Sequence, residues 1–136
     1  MPCPYFEPRQ VAALSGSIRL PLIEEYDGIC RAASEPFPAP AGLRLHCCNH
    51  GNSAGICSRF PAEAPCSSQR FDITGSNATS LEILLVEELH YAPAAWRRVR
   101  YFIGSEALEP EVPDICMRAQ VIAFCRSFLK VFRPNL

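Results

Sequence analysis

The clearest hydrophobic pattern in the chain is helical and lies near its C-terminal end. Between Pro113 and Pro134, apolar residues recur every three or four positions, which is the period of an α-helix. They form two adjacent stripes, Ile115, Ala119, Ile122, Cys125, Leu129 and Phe132, and Met117, Val121, Phe124, Phe128 and Val131. Together the stripes cover about half of the circumference, more than a helix at the surface requires. We therefore predict a core helix over residues 114–132.

Residues 70–103 favour antiparallel strands. "RFDIT" alternates apolar and polar residues, and "WRRVRYFI" is rich in aromatic and β-branched side chains. The segment between them fits two structures. Thr79 and Glu82 match a helical capping box, whereas Leu81, Ile83 and Leu85 alternate with polar residues as in a strand. The local pattern leaves helix and strand open for residues 80–89.

The N-terminal half, residues 1–68, has little periodicity and is rich in Pro, Gly, Ser, Ala and Cys. Its prolines exclude long helices and central strands. Short helices are expected at 9–14 and 40–48. Regular hydrogen bonding does not explain how such a segment stays folded, so we expect a bound metal to organise it.

Composition limits the classes of function. A chain of 136 residues that is 49% hydrophobic can bury one core, so 1–136 is expected to be a single domain. The net charge of −1 argues against a nucleic-acid or membrane-surface protein. The chain shows no signal-peptide pattern and no long apolar window, so we expect a cytoplasmic protein and no membrane contact. Eight cysteines in a reducing compartment indicate metal ligands more than disulfides.

The cysteines divide into two groups. Cys116 and Cys125 lie nine residues apart in the predicted helix and point to opposite sides, so they cannot share a metal. Cys125 is expected to be a buried, inert residue, and Cys116 a surface thiol whose pKa the helix dipole could lower. The remaining six are in the N-terminal half: Cys3, Cys30, Cys47, Cys48, Cys57 and Cys66. Plain thiols and disulfides are alternatives, but metal ligation is favoured.

The spacing of these cysteines bears on the type of metal. Structural zinc sites use close pairs such as C-x2-C, and none is present. Ligands that come singly from separate loops suit an iron–sulfur cluster, whose corners diverge. His46 and His50 could contribute, although a loop histidine is more often solvated.

Several motifs together resemble a family of small, functionally uncharacterised bacterial proteins. They are "CPYFEP", "RLPLIEEYDGIC", "CNHGNSAGICSRFP" and "VEELHYAPAAWRRVRYF". In that family four cysteines recur as C-x-F-x-P, Y/W-x-G-x-C, C-N-x-G and C-x-R-x-P. The resemblance implies that the metal ligands are Cys3, Cys30, Cys48 and Cys57. It also implies a strand at residues 80–89, and the chain departs from the pattern at Asn52-Ser53.

The expected fold class is therefore α+β. An irregular half would surround the metal site, followed by a sheet of about three strands and the C-terminal helix. We expect a [4Fe-4S] cluster on Cys3, Cys30, Cys48 and Cys57, used in electron transfer or redox sensing with a redox partner protein. Gly51 and Gly55 would let the backbone approach the cluster. The alternative is a structural zinc module that mediates protein interaction.

Two other functions have weaker support. "WRRVRY" could bind single-stranded nucleic acid, but alternate residues of a strand face opposite sides, which splits its arginines. A Cys–His nucleophile, such as Cys57–His50 or Cys48–His90, has no local signature, so an enzyme is not favoured. The sequence predicts no oligomeric state.

Overall fold

The first part of the structure is a three-stranded antiparallel sheet. The computed structural model describes residues 2–12, 21–49, 57–61, 68–90 and 92–132. The sheet has the order β1-β2-β3. Its strands are β1 (Phe6–Val11), β2 (Tyr26–Cys30) and β3 (Phe37–Pro38). A short helical segment follows, α1 (Ala41–Leu43), which continues directly as a π-helix over Arg44–Asn49.

The second part is a four-stranded antiparallel sheet in which consecutive strands pair, in the order β4-β5-β6-β7. Its strands are β4 (Ser68–Ser76), β5 (Ser80–Leu89), β6 (Ala92–Phe102) and β7 (Ala107–Glu109). The ambiguous segment is thus strand β5, as the resemblance implied. Its neighbours pair with it on both sides. Asn77 instead of Thr79 organises the preceding turn, because its Oδ1 accepts hydrogen bonds from the backbone N–H groups of Thr79 and Ser80.

The predicted fold class is wrong. Seven strands in two antiparallel sheets hold more of the described residues than the helical segments do, and three of these strands lie in the half expected to be irregular. Pro8 and Pro38 are tolerated because both lie in edge strands.

The helix expected at 9–14 is also wrong, since Arg9 to Val11 belong to β1, which has a register shift between Pro8 and Gln10. The helical segment expected at 40–48 is confirmed.

The C-terminal helix, α2 (Ile115–Phe132), is confirmed. Asp114 caps it, because its Oδ1 accepts a hydrogen bond of 2.8 Å from the Met117 N–H. Phe124 packs on Phe71 of the second sheet, with ring centroids 5.7 Å apart. On the other side, the Tyr26 hydroxyl of β2 donates to the Ala123 carbonyl of α2 at 3.0 Å. The helix therefore contacts both sheets, and no helix among the described residues is long and apolar enough to cross a bilayer.

Gly28 allows β1 and β2 to approach closely. A Cβ built at this position would lie 2.1 Å from the Glu7 carbonyl oxygen, which is a severe clash with backbone. The Y-x-G-x-C motif of residues 26–30 thus has a steric reason for its glycine. Since Cys30 ends the same strand, this close pairing also fixes one candidate ligand relative to β1.

We expect Gly28→Ala to destabilise the protein by about 2 kcal/mol or more, because the backbone of β1 must move away. Urea denaturation measures the change. Gly42→Ala is the matched control, since a Cβ there meets nothing within 4 Å and alanine is a better helix former. Equal denaturation midpoints for the two variants would contradict the packing described here.

Candidate metal centre

The four cysteines implied by the resemblance line one small cavity. Cys3 precedes β1, Cys30 ends β2, Cys48 lies in the π-helix, and Cys57 begins a turn. The cavity volume is about 20 Å³, enough for one water-sized group. The other walls are formed by Tyr5, Phe6, Ala32, Arg59 and Phe60. Cys3 and Cys57, which are distant in the sequence, thus lie around one space.

These thiols surround the space without meeting at one point. Among the described residues, no group of three or more Cys, His, Asp or Glu side chains converges closely enough to hold a metal ion. The cavity that the cysteines share says more about their possible joint role than the present positions of the sulfur atoms do. Rotation about one side-chain bond moves a sulfur, whereas backbone contacts fix the walls. The donor set itself, four thiols, is complete for a four-iron cluster or for tetrahedral zinc.

Backbone hydrogen bonds join the segments that carry the cysteines. The Cys3 N–H donates to the Cys48 carbonyl at 2.9 Å, which ties the N-terminal turn to the π-helix. Cys30 is paired in register with Phe6, just beyond that turn. The Phe60 N–H donates to the Cys57 carbonyl at 3.1 Å and closes the fourth segment into a turn. The cavity walls are therefore held by main-chain contacts.

Gln120 of α2 supports the turn at Cys3. Its Nε2 donates to the Cys3 carbonyl at 2.7 Å and to the Phe6 carbonyl at 2.8 Å. The side chain is fully buried, although Gln120 belongs to neither apolar stripe of the helix. A polar residue beside an apolar stripe is the only sequence signal, and it does not distinguish an exposed side chain from a buried one. The helix thus positions a candidate ligand 117 residues away.

Asn49 holds the π-helix against β2. Its Oδ1 accepts from the Tyr26 N–H at 2.8 Å, and its Nδ2 donates to the carbonyls of Tyr26 and Arg44 at 2.9 and 2.8 Å. The side chain is fully buried and imitates a neighbouring strand. Because Asn49 follows Cys48 directly, these bonds fix the position of that cysteine. This explains the asparagine of the C-N motif.

Electrostatics make the cavity unfavourable for an isolated thiolate. The pKa of the Cys48 thiol is raised to about 12. Burial is the larger cause, and the proximity of other thiols is the second, those of Cys3, Cys30, Cys47 and Cys57. Burial and then Cys57 likewise raise the pKa of Cys47. A cation bound between these groups would remove the mutual repulsion and favour deprotonation.

Aromatic rings cover the cavity on one side. Tyr5 and Phe60 meet edge to face, with centroids 5.6 Å apart. Arg59 stacks its guanidinium on the Phe37 ring at 4.2 Å, which holds the one charged group of the described walls in place. The cavity is thus covered by aromatic rings on that side and has one positive charge at its edge.

The other cysteines that the structure describes, Cys47, Cys116 and Cys125, do not line the cavity. Cys47 is buried but does not line it. Cys125 is fully buried and burial raises its pKa, so the expectation of a buried core thiol is confirmed. The expectation for Cys116 is wrong, because it is buried and its pKa is raised to about 12 by burial and then by Asp114.

The predictions that concern Cys66, His50, Gly51, Gly55 and Asn52-Ser53 fall outside the described residues, as does the side chain of His46.

The arginines of "WRRVRY" are divided between two faces of β6, as predicted. Val99 and Tyr101 are buried on the inner face, which Arg97 shares, whereas Arg98 and Arg100 are exposed on the other. Arg100 lies in register between Glu82 of β5 and Glu109 of β7. Arg100 is therefore flanked by acids on both neighbouring strands, which does not favour nucleic-acid binding by this face.

We expect Asn49→Asp to reduce the free energy of unfolding by about 3 kcal/mol, since it removes two buried donors and places a carboxylate beside two carbonyls. Chemical denaturation measures the effect. Asn77→Asp is the control, because that exposed side chain accepts hydrogen bonds only through Oδ1, which aspartate retains. An Asn49→Asp protein as stable as the control would show that Asn49 does not hold the π-helix.

Comparisons of the chain with protein-family models, with curated proteins and with solved structures give no match. The family resemblance drawn from the cysteine motifs therefore stays a prediction. The geometry of the cavity is the structural basis for a function.

Proposed function

We propose that the protein binds an iron–sulfur cluster of the [4Fe-4S] type through Cys3, Cys30, Cys48 and Cys57, and that it acts in electron transfer or redox sensing. The observation that carries the proposal is the common cavity of these four residues, each from a separate segment. Four cysteines are the complete ligand set of such a cluster. The four iron atoms of such a cluster lie at corners that point in different directions, which suits one cysteine ligand from each of four segments.

The charges and walls of the cavity are suited to an anionic centre. A cluster with four thiolates carries net negative charge, and Arg59 is the charged group available at the edge of the described walls. Its contact with Phe37 keeps the guanidinium near the cavity. Positive charge nearby stabilises the reduced state, so Arg59 would raise the reduction potential, whereas aromatic burial would lower it.

Complete cysteine ligation limits the chemistry. With every iron held by protein, no position is open for a substrate, so the cluster supplies one-electron transfer and not Lewis-acid catalysis. The residues of this chain then have two tasks. Cys3, Cys30, Cys48 and Cys57 hold the centre, and Tyr5 and Phe60 exclude water on the covered side. A redox partner protein would dock where this shielding is thinnest.

A structural zinc site that supports protein interaction is the second candidate, and the size of the cavity favours it. A volume of about 20 Å³ is nearer to that of a single ion than to that of a large cofactor. Four thiolates would close a tetrahedral site with no open position. Such an ion would join the N-terminal turn, β2, the π-helix and the turn at Cys57.

We expect the full chain purified without oxygen to be brown, with broad visible absorption and about four iron and four sulfide ions per chain. Cys48→Ala should lose iron and colour, because one ligand is removed. Cys47→Ala is the matched control, since that neighbouring thiol is equally buried but does not line the cavity, and it should keep both.

The metal content decides between the candidates. A colourless protein with one zinc ion per chain, lost in Cys48→Ala, would refute the cluster and support the zinc site. A protein with neither metal would refute both proposals. Zinc found only after aerobic purification would not count against the cluster, since zinc can replace iron at a thiolate site.

A further inference from the structure

A second cavity lies beside the cysteine site, and Pro4 and Tyr5 form part of its wall. Its volume is about 580 Å³, within the range of small-molecule pockets. It lies where the inner face of the second sheet extends past the start of α2. The walls from the helix end are Pro113, Asp114, Ile115, Cys116 and Met117. We call this space the cleft.

The inner face of the sheet changes from apolar to polar at the cleft. Strand register aligns Ile73, Ile83 and Val99 in one row across β4, β5 and β6. The next row contains Phe71, Leu85 and Arg97, and the one after it contains Gln69, Glu87 and Ala95. The helix covers the apolar rows, because Phe124 packs on Phe71. The polar side chains therefore line the uncovered end.

Gln69, in the wall of the cleft, has an unsatisfied acceptor. The residue is only 4% exposed, and its Oε1 has no hydrogen-bond partner among the described residues. A buried polar atom without a partner destabilises the folded protein. The oxygen is closed to solvent as it stands, so rotation of the terminal amide has to turn it toward the cleft before a ligand can donate a hydrogen bond to it.

The cleft also offers charges of both signs. Arg97 and Glu87 line it, and neither forms an ion pair with another described residue. Arg31 is already paired with Glu7. Asp114 is committed to the helix cap. The groups left for a ligand are thus one cation, Arg97, and the two acceptors Glu87 and Gln69.

We infer that the cleft binds a small zwitterion of the amino-acid class. Its ammonium group donates to Gln69 Oε1 and faces Glu87, and its carboxylate pairs with Arg97. Gln69 and Glu87 are direct cross-strand partners, so both acceptors can serve one ammonium group. Arg97 lies one row away on the same face, which suits the short separation of the two charges in an amino acid. The inference does not depend on which metal the cysteines bind.

The remaining walls of the cleft are apolar, which indicates that the ligand has an apolar side chain. Ile115 is 54% exposed although it is large and apolar, and Pro4, Pro113 and Met117 lie around the same space. A leucine-like side chain against these residues would remove apolar surface from water. The ligand class is therefore an amino acid with an aliphatic side chain.

Isothermal titration calorimetry of the full chain with L-leucine tests this inference. Leucinamide, which lacks the carboxylate, and 4-methylpentanoate, which lacks the amine, should each bind at least about tenfold more weakly, because each loses one charged contact. Gln69→Met and Arg97→Gln should weaken leucine binding by a similar factor. Arg98→Gln, on the outer face of the same strand, is the control and should bind normally.

Gln69→Met also separates a binding role from a structural one. The substitution removes the unsatisfied acceptor and keeps the length of the side chain, so the melting temperature without ligand should stay the same or rise. A fall in melting temperature of the ligand-free variant would show that Gln69 is structural and overturn its assignment. Equal affinity for leucine and 4-methylpentanoate, or no leucine binding by the unchanged protein at millimolar concentration, would overturn the inference.

Discussion

The central constraint in this protein is the proximity of several thiols around one small cavity. Cys48 cannot ionise easily there, because it is buried and other cysteines surround it. Mutual repulsion would disperse free thiolates, whereas one shared cationic centre turns the same arrangement into a strong ligand set. Specific contacts in the fold keep these groups together, and the proposed metal centre would explain why they are kept together.

Those contacts come from distant parts of the chain. Gln120 reaches from α2 to the turn at Cys3, Asn49 fastens the π-helix to β2, and Gly28 lets the first two strands meet. The proposed metal binding and folding should therefore support each other. Unfolding breaks the backbone contacts that hold the cysteine-bearing segments together, and it separates the metal ligands at the same time. The cleft shares the Pro4–Tyr5 turn with the cysteine cavity. A ligand in the cleft would thus lie against the covered side of the metal site.

Sequence reasoning succeeded where a single periodicity applied and failed where tertiary contacts decided. The stripes of α2 predicted the helix within one residue of its start, and the phase of Cys125 predicted its burial. The first sheet was missed because the prolines were taken to exclude central strands, and edge strands, which tolerate proline, were not predicted for Pro8 and Pro38. Burial of Gln120 and Cys116 depends on which neighbours pack against the helix, and no local pattern carries that information. The cysteine grouping came from a family resemblance, and the shared cavity adds an independent geometric reason for it.

The most direct test of the shared centre is a crystal structure of anaerobically purified protein, with diffraction data collected on both sides of the iron absorption edge. The account predicts one compact anomalous peak in the cavity, within bonding distance of the sulfurs of Cys3, Cys30, Cys48 and Cys57. Sulfurs that point away from a common space, with no metal density between them, would contradict it.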